Sequence, residues 1–168
     1  MAKFVNITGP IVADTVYVDN SLVARDVAFT LPEVTPMTAD LQVMGTMTYP
    51  IWQLLENMET TITKIGADLG LIRSIKPGMH KYEFRWVQVV TDANGKTSNV
   101  GCKAFIDGVP NKLPGIGATI GEASENEITI MTTAYTLYVN GREYIKINRL
   151  TGICKIDGED FANISSML

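Results

Sequence analysis

The sequence predicts a mostly β protein, a small sandwich or barrel with one flanking α-helix. Three observations lead there. Apolar and polar residues alternate with a period of two over several stretches, turn-forming pairs such as Asn-Gly separate those stretches at hairpin spacing, and a single convincing segment carries a helical pattern. Successive strand residues point to opposite faces, so a period of two marks a strand with one buried side.

The clearest strand covers residues 81–90. Tyr82, Phe84 and Trp86 fall on one face and Lys81, Glu83 and Arg85 on the other. Asn94-Gly95 supplies the positive φ of a tight turn, and the return strand is read over 97–106. A second hairpin joins 128–139 to 142–147 around Asn140-Gly141. A short strand at 153–156 follows, ending at Asp157-Gly158. Near the N-terminus, 15–18 and 22–23 flank Asp19-Asn20. Two further strands, 37–44 and 54–65, each carry one apolar and one small polar face. The polar faces hold Thr38, Asp40 and Gln42 in the first strand, and Asn57, Glu59, Thr61 and Thr63 in the second.

The helix is read over 67–75, with Leu71, Ile72 and Ile75 on its apolar face. Gly66 or Asp68 opens it and Lys76-Pro77-Gly78 stops it. Residues 107–127 are rich in Gly, Pro and acids and read as a long loop, the kind that is usually functional or ordered by a partner. Residues 1–14 read as an N-terminal arm. Nothing splits the chain, so 1–168 is expected to be one domain.

Composition narrows the function. At 168 residues the chain can bury roughly two thirds of its unfolded surface around one core. Hydrophobic residues make up 46% and charged residues 19%, a globular balance with a low charged share that suits burial against other chains. A net charge of −4 argues against stable binding to phosphate backbones. No apolar run approaches the roughly 18 residues of a membrane span, and no signal peptide is visible, so folding and assembly in a bacterial cytoplasm are expected.

Catalytic and metal-binding patterns are not found. The lone His80 has no HExxH context and no Cys cluster, and no serine sits in a nucleophile elbow. The run 115–121 resembles a phosphate loop only in its glycines, since no Lys-Ser/Thr follows and Glu122 and Glu125 surround it. Glu122, Glu125 and Glu127 do not have EF-hand spacing. Cys102 and Cys154 lack a CxxC partner and read as buried free thiols. No enzyme activity, cofactor or metal is expected.

The C-terminal third carries a more specific pattern. Ala134-Tyr135-Thr136-Leu137-Tyr138-Val139-Asn140-Gly141-Arg142-Glu143 runs into Ile145-Lys146-Ile147-Asn148, then Thr151-Gly152-Ile153-Cys154-Lys155-Ile156-Asp157-Gly158-Glu159-Asp160-Phe161-Ala162. This resembles the closing segment of the major tail tube proteins of P2-like contractile phages and R-type phage-tail-like bacteriocins. Thr30-Leu31-Pro32-Glu33 and the order of the segments from Leu55 to the helix resemble the same family, while 87–127 matches it poorly.

The resemblance implies a subunit of stacked hexameric rings whose strands join into one barrel around a lumen. It implies as partners the chain itself, a tail sheath protein, a baseplate hub or tube initiator, and a tape-measure protein. DNA would be a transient passenger in a phage, and ions would pass in a bacteriocin. The particle would be a virion tail or tailocin. A tube of another contractile injection system, type VI-like, and a β-sandwich binding module are the other readings.

Three sets of residues follow as candidates. Thr38, Asp40, Gln42, Asn57, Glu59, Thr61 and Thr63 are expected to face the lumen, because both stretches lack Lys and Arg on their polar face. Asp68, Arg73, Asp157, Glu159 and Asp160 are expected to face the sheath. Phe4, Asn111, Lys112, Glu122 and Glu125 are expected between subunits or rings, with the arm and the loop ordering on assembly.

Overall fold

The computed structural model describes residues 6–164 and 167–168. Its strands are β1 (Ile7–Val18), β2 (Ser21–Arg25), β3 (Ala28–Thr30), β4 (Pro36–Gln42), β5 (Thr46–Leu55) and β6 (Glu59–Ile65), then, after helix α1 (Leu69–Ile75), β7 (His80–Thr91), β8 (Thr97–Lys112), β9 (Glu125–Val139), β10 (Arg142–Asn148), β11 (Ile153–Ile156) and β12 (Glu159–Asp160). Among the described residues no helix is long and apolar enough to cross a membrane.

The hairpins form where the sequence places them. Across β7 and β8, Tyr82 faces Ile106, Phe84 faces Ala104 and Trp86 faces Cys102. The connecting turn is closed by Asp92, whose Oδ1 accepts from the backbone N–H groups of Asn94 and Lys96 at 2.8 and 2.9 Å. Asn140 and Gly141 both have positive φ, as a two-residue hairpin turn requires. Asp19 and Asn20 do the same between β1 and β2.

One antiparallel sheet runs β12-β11-β10-β9-β8-β7-β1-β2. The long β9 also pairs along its first half with β6, which in turn pairs with β3. The sheet therefore bends round on itself and packs one wall against the other. Phe29 of β3 meets Phe84 of β7 with ring centroids 4.8 Å apart, so the β3–β6–β9 wall lies across the core from the β1–β7 wall. Val16, Val18, Ile62, Leu71, Tyr82, Phe84, Ile106, Ile128 and Ile130 fill the space between them, each nearly or fully buried. A smaller cluster of Met58, Ile147 and Cys154 sits beside it. The arrangement is a curled, sandwich-like sheet with one short helix and no closed barrel within a single chain.

Several boundaries differ from the sequence reading. The strand read over 54–65 is broken. Residues up to Leu55 belong to β5, the chain turns inward so that Met58 is fully buried, and β6 starts at Glu59. The strand over 37–44 is the first arm of a hairpin, and its partner β5 was not read as a continuous strand. The long loop shrinks to 113–124, since β8 continues to Lys112 and β9 begins at Glu125. Part of the arm is strand, with Ile7 opposite Thr91 and Thr8 opposite Val90. In the helix Leu71 is buried as read, but Ile72 is exposed and Ser74 takes a buried place, donating to the Gly70 carbonyl at 2.8 Å.

Candidate functional site

The outward side of the β3–β6–β9–β8 wall carries a patch of threonines and acids. Along β6, Thr60, Ile62 and Lys64 turn inward and Glu59, Thr61 and Thr63 outward. The register sets Thr61 between Thr30 and Thr129, Thr63 between Ala28 and Glu127, and Glu59 beside Met131. On the far side of β9, Lys112 of β8 lies opposite Thr129. Asn111 Nδ2 and Asn57 Nδ2 both donate to Glu59 Oε1 at 3.3 Å, and Lys112 Nζ lies 3.7 Å from Glu127 Oε1. The patch thus gathers Asn57, Glu59, Thr61, Thr63, Asn111, Lys112 and Glu125, residues the sequence had assigned to two separate surfaces. Glu127, its neighbour on β9, belongs to it, and the alternation of Glu125 and Glu127 with buried Asn126 and Ile128 is the signal that could have placed it.

Behind this wall, among the core residues Ile62, Ile128 and Ile130, a few buried polar side chains find partners. Thr60 Oγ1 and Thr132 Oγ1 lie 2.7 Å apart, both buried. Lys64 reaches out of the core to Asp68 Oδ2 at 2.9 Å. Asn126 Nδ2 donates to the Gly66 carbonyl at 3.0 Å. Three carboxylates against one lysine leave the outer surface of this wall net negative. Such a surface repels polyanions and offers phosphate no fixed ion pairs.

The other lumen candidates stand elsewhere. Thr38, Asp40 and Gln42 line one face of the β4–β5 hairpin, opposite Pro50, Thr48 and Thr46. Thr48 Oγ1 donates to Asp40 Oδ1 at 2.9 Å. The opposite face of that hairpin holds Met37, Ala39, Leu41, Met47, Tyr49 and Ile51. Neither β4 nor β5 pairs with another described strand.

The sheath candidates sit on two separate elements. Asp68 is the N-cap of α1. Its Oδ1 accepts from Leu71 N–H at 2.9 Å, and that bond, with Lys64 second, holds its carboxyl below the usual carboxylate range. Arg73 lies in the last turn, where a cation suits the helix dipole. Asp157, at positive φ, pairs with Arg142 across the turn after β11. Glu159 and Asp160 form the exposed edge strand β12, and Asp160 Oδ1 accepts from Ala162 N–H at 3.0 Å. Of the inter-subunit candidates, Glu122 lies in the 113–124 loop, and Phe4 lies outside the described residues.

Among the described residues no group of three His, Cys, Asp or Glu side chains is placed to hold a metal. His80 is tied at both ring nitrogens, Nδ1 to Asp19 and Nε2 to the Lys76 carbonyl. Cys102 and Cys154 are buried free thiols, and burial pushes the pKa of each up, away from the reactive thiolate.

The curled β fold thus carries an acidic, hydroxyl-rich wall and a charge-poor hairpin that pairs with no other described strand. The chain belongs to the phage tail tube protein FII family, whose model matches residues 11–164. Among curated proteins no sequence matches it. Solved structures share its fold, among them three chains of contractile injection particles. A chain of the PVC extracellular contractile injection system sheath-tube complex in the extended state gives a TM-score of 0.51 at 15% identity, covering 77% of this chain and 90% of that one. A chain of the PVC sheath/tube terminator gives 0.50 at 16%, covering 77% and 95%. A chain of the anti-feeding prophage tube-terminating cap gives 0.50 at 15%, covering 74% and 87%.

Proposed function

We propose that this tail tube protein assembles into stacked hexameric rings forming the rigid inner tube of a contractile particle, with the Glu59–Thr61–Thr63 wall lining the channel. The observation that carries the channel assignment is the wall itself. Its outward side chains are mostly threonines and acids, with Met131 and Ile65 among them and Lys112 beside Glu127. A passing polyanion meets like charge and no basic row to hold it, and cations meet carboxylates. The same wall serves DNA in a phage tail and ions in a bacteriocin. A sheath would surround the tube, a baseplate hub would start it and a tape-measure protein would set its length. The tube is structural, and its work is mechanical and conductive.

A tube of another contractile injection system is the second reading, favoured by the shared fold with the PVC and anti-feeding prophage chains. An isolated β-sandwich binding module does not explain family membership across 11–164. Cryo-electron microscopy of the assembled protein tests the proposal. Sixfold rings stacked into a tube, with Glu59, Thr61 and Thr63 on the inner surface, are the expected result. A monomer that forms no tube even with its initiator would overturn it.

A further inference from the structure

The sequence contains two Asn-Gly dipeptides, Asn94-Gly95 and Asn140-Gly141, and the fold places each in a hairpin turn. Both asparagines are exposed. Asparagine is a chemically labile residue. The backbone nitrogen of the residue that follows it can attack the carboxamide carbon, and glycine leaves that approach open because it has no Cβ. The attack asks two things of the structure. The attacking nitrogen must be free to give up its hydrogen, and the chain around it must be free to turn that nitrogen towards the side chain.

The two turns differ in both respects. Gly95 N–H is donated to the Asp92 carbonyl at 3.1 Å. Asn94 N–H and Lys96 N–H are donated to Asp92 Oδ1 at 2.8 and 2.9 Å, and Asp92 N–H to the Lys96 carbonyl at 3.0 Å. The attacking nitrogen is therefore capped, and its neighbours on both sides are held by the same residue. The Asp92 carboxylate also sets a negative charge beside a nitrogen that would have to become negative, which disfavours loss of its proton. The ladder behind this turn is unbroken from Thr91 opposite Thr97 to His80 opposite Gly108. At the other turn Asn140 N–H is donated to the Gly101 carbonyl at 3.0 Å. Gly141 N–H has no acceptor among the described residues, and the Asn140 carboxamide has no partner there. The ladder behind it shifts register between Glu143 and Ile145.

We propose that Asn140 is a site of spontaneous deamidation and that Asn94 is protected from the same reaction by its turn. Water or hydroxide removes the Gly141 amide proton, and the nitrogen bonds to the Asn140 carboxamide carbon. The bond from that carbon to the side-chain nitrogen breaks, the nitrogen takes up a proton, and it leaves as ammonia. The product is a cyclic imide. Water then opens the ring at one of its two carbonyls, giving aspartate or isoaspartate. The net change is gain of water and loss of ammonia, with nothing oxidised or reduced. Isoaspartate routes the main chain through the former side chain and adds one carbon to it, so the tight turn between Val139 and Arg142 no longer closes as built. Either product adds a negative charge at the exposed end of the β9–β10 hairpin. The reaction needs only the folded subunit, so it stands apart from the tube reading.

The test incubates full-length protein in mildly alkaline buffer and follows both sites by peptide mapping with mass detection. An isoaspartate-specific methyltransferase labels the second product. The same incubation in guanidinium gives the rate each dipeptide has without the fold. Relative to those unfolded rates, Asn140 in the folded chain is expected to convert at least roughly fivefold faster than Asn94, the factor that one ordinary hydrogen bond supplies net of water. Asn140→Gly keeps a turn-forming Gly-Gly pair and is expected to abolish isoaspartate at this hairpin without changing Asn94. Equal relative rates at the two sites, or faster conversion of Asn94, would overturn the proposal. So would an Asn140 that stays intact in the folded chain over a period in which it converts in guanidinium. The ratio is read within one unaltered chain, so it decides the matter whether or not any variant folds.

Discussion

His80 Nδ1 lies 2.7 Å from Asp19 Oδ2, joining the β1–β2 turn to the start of β7. The Asp19 Oδ1 also accepts from Lys81 N–H at 3.1 Å. The Lys81 bond first and His80 second hold the Asp19 carboxyl below its usual range. A depressed carboxyl contributes stability that is full above its unfolded value of 3.8 and is lost as pH falls through the lower folded value. Asp19→Asn keeps the left-handed turn, because Asn tolerates positive φ, while removing the charge and exchanging one acceptor oxygen for an amide donor. The variant should therefore be less stable near neutral pH by no more than about 1 kcal/mol, given the exposure of the pair. It should converge with the parent in acid. Thermal melts from pH 2 to 7 check this, and parallel curves over that range would count against it.

The helix docks through Gly70. A Cβ built there would run into the Val23 carbonyl of β2, a backbone atom that cannot swing aside. Gly70→Ala raises helix propensity by about 1 kcal/mol but must push α1 off β2. Destabilisation of about 1–3 kcal/mol is the expected balance. Chemical denaturation measures it, and a more stable variant would show that the helix moves freely.

Thr60 and Thr132 form a buried hydroxyl pair beneath the acidic wall. Thr60→Val strands the Thr132 hydroxyl with only a long contact to the Ile130 carbonyl at 3.4 Å. That should cost about 1–3 kcal/mol, the desolvation of an unmatched polar group. Replacing both by Val should cost less than the sum of the single changes, since neither polar atom then remains. A double-mutant cycle in urea reads the coupling directly.

Much of this fold was legible because burial imposes a strict period. Tyr82, Phe84 and Trp86 announced β7, and Asn94-Gly95 and Asn140-Gly141 announced their turns. Of the two openings read for the helix, Gly66 or Asp68, the structure has Asp68 as the cap through its carboxylate. The failures have local causes. β5 alternates as well as β4 does, with Met47, Tyr49 and Ile51 against Thr46 and Thr48, but Gly45 precedes it and Pro50 interrupts it. Pro50 is tolerated because β5 pairs on one side only. Gly108 and Pro110 likewise made the end of β8 look like loop. Gly108 is there because a Cβ would come within 2.5 Å of the Met131 carbonyl, and the register shifts on either side of this stretch. The acidic wall was half legible. Its β6 residues share one strand, but Asn111, Lys112 and Glu125 join them only through pairing that spans more than fifty positions of sequence, which local patterns do not encode.

The placement of that wall can be read with thiol reagents of two sizes. Thr61 points outward from β6 between Thr30 and Thr129 and is partly exposed. Thr61→Cys exchanges one small side chain for another, so folding should be unaffected within about 0.5 kcal/mol. The native thiols give little background, since Cys102 and Cys154 are each 2% exposed and burial raises their pKa. In the free subunit both a small maleimide and a maleimide carried on a large dextran should modify Cys at position 61. In assembled tubes the small reagent should still react, entering by the channel, while the dextran should not. Reaction with both would put the wall on the outside of the tube. Reaction with neither would bury it between subunits. Only the size-selective result agrees with a channel lined by Glu59, Thr61 and Thr63.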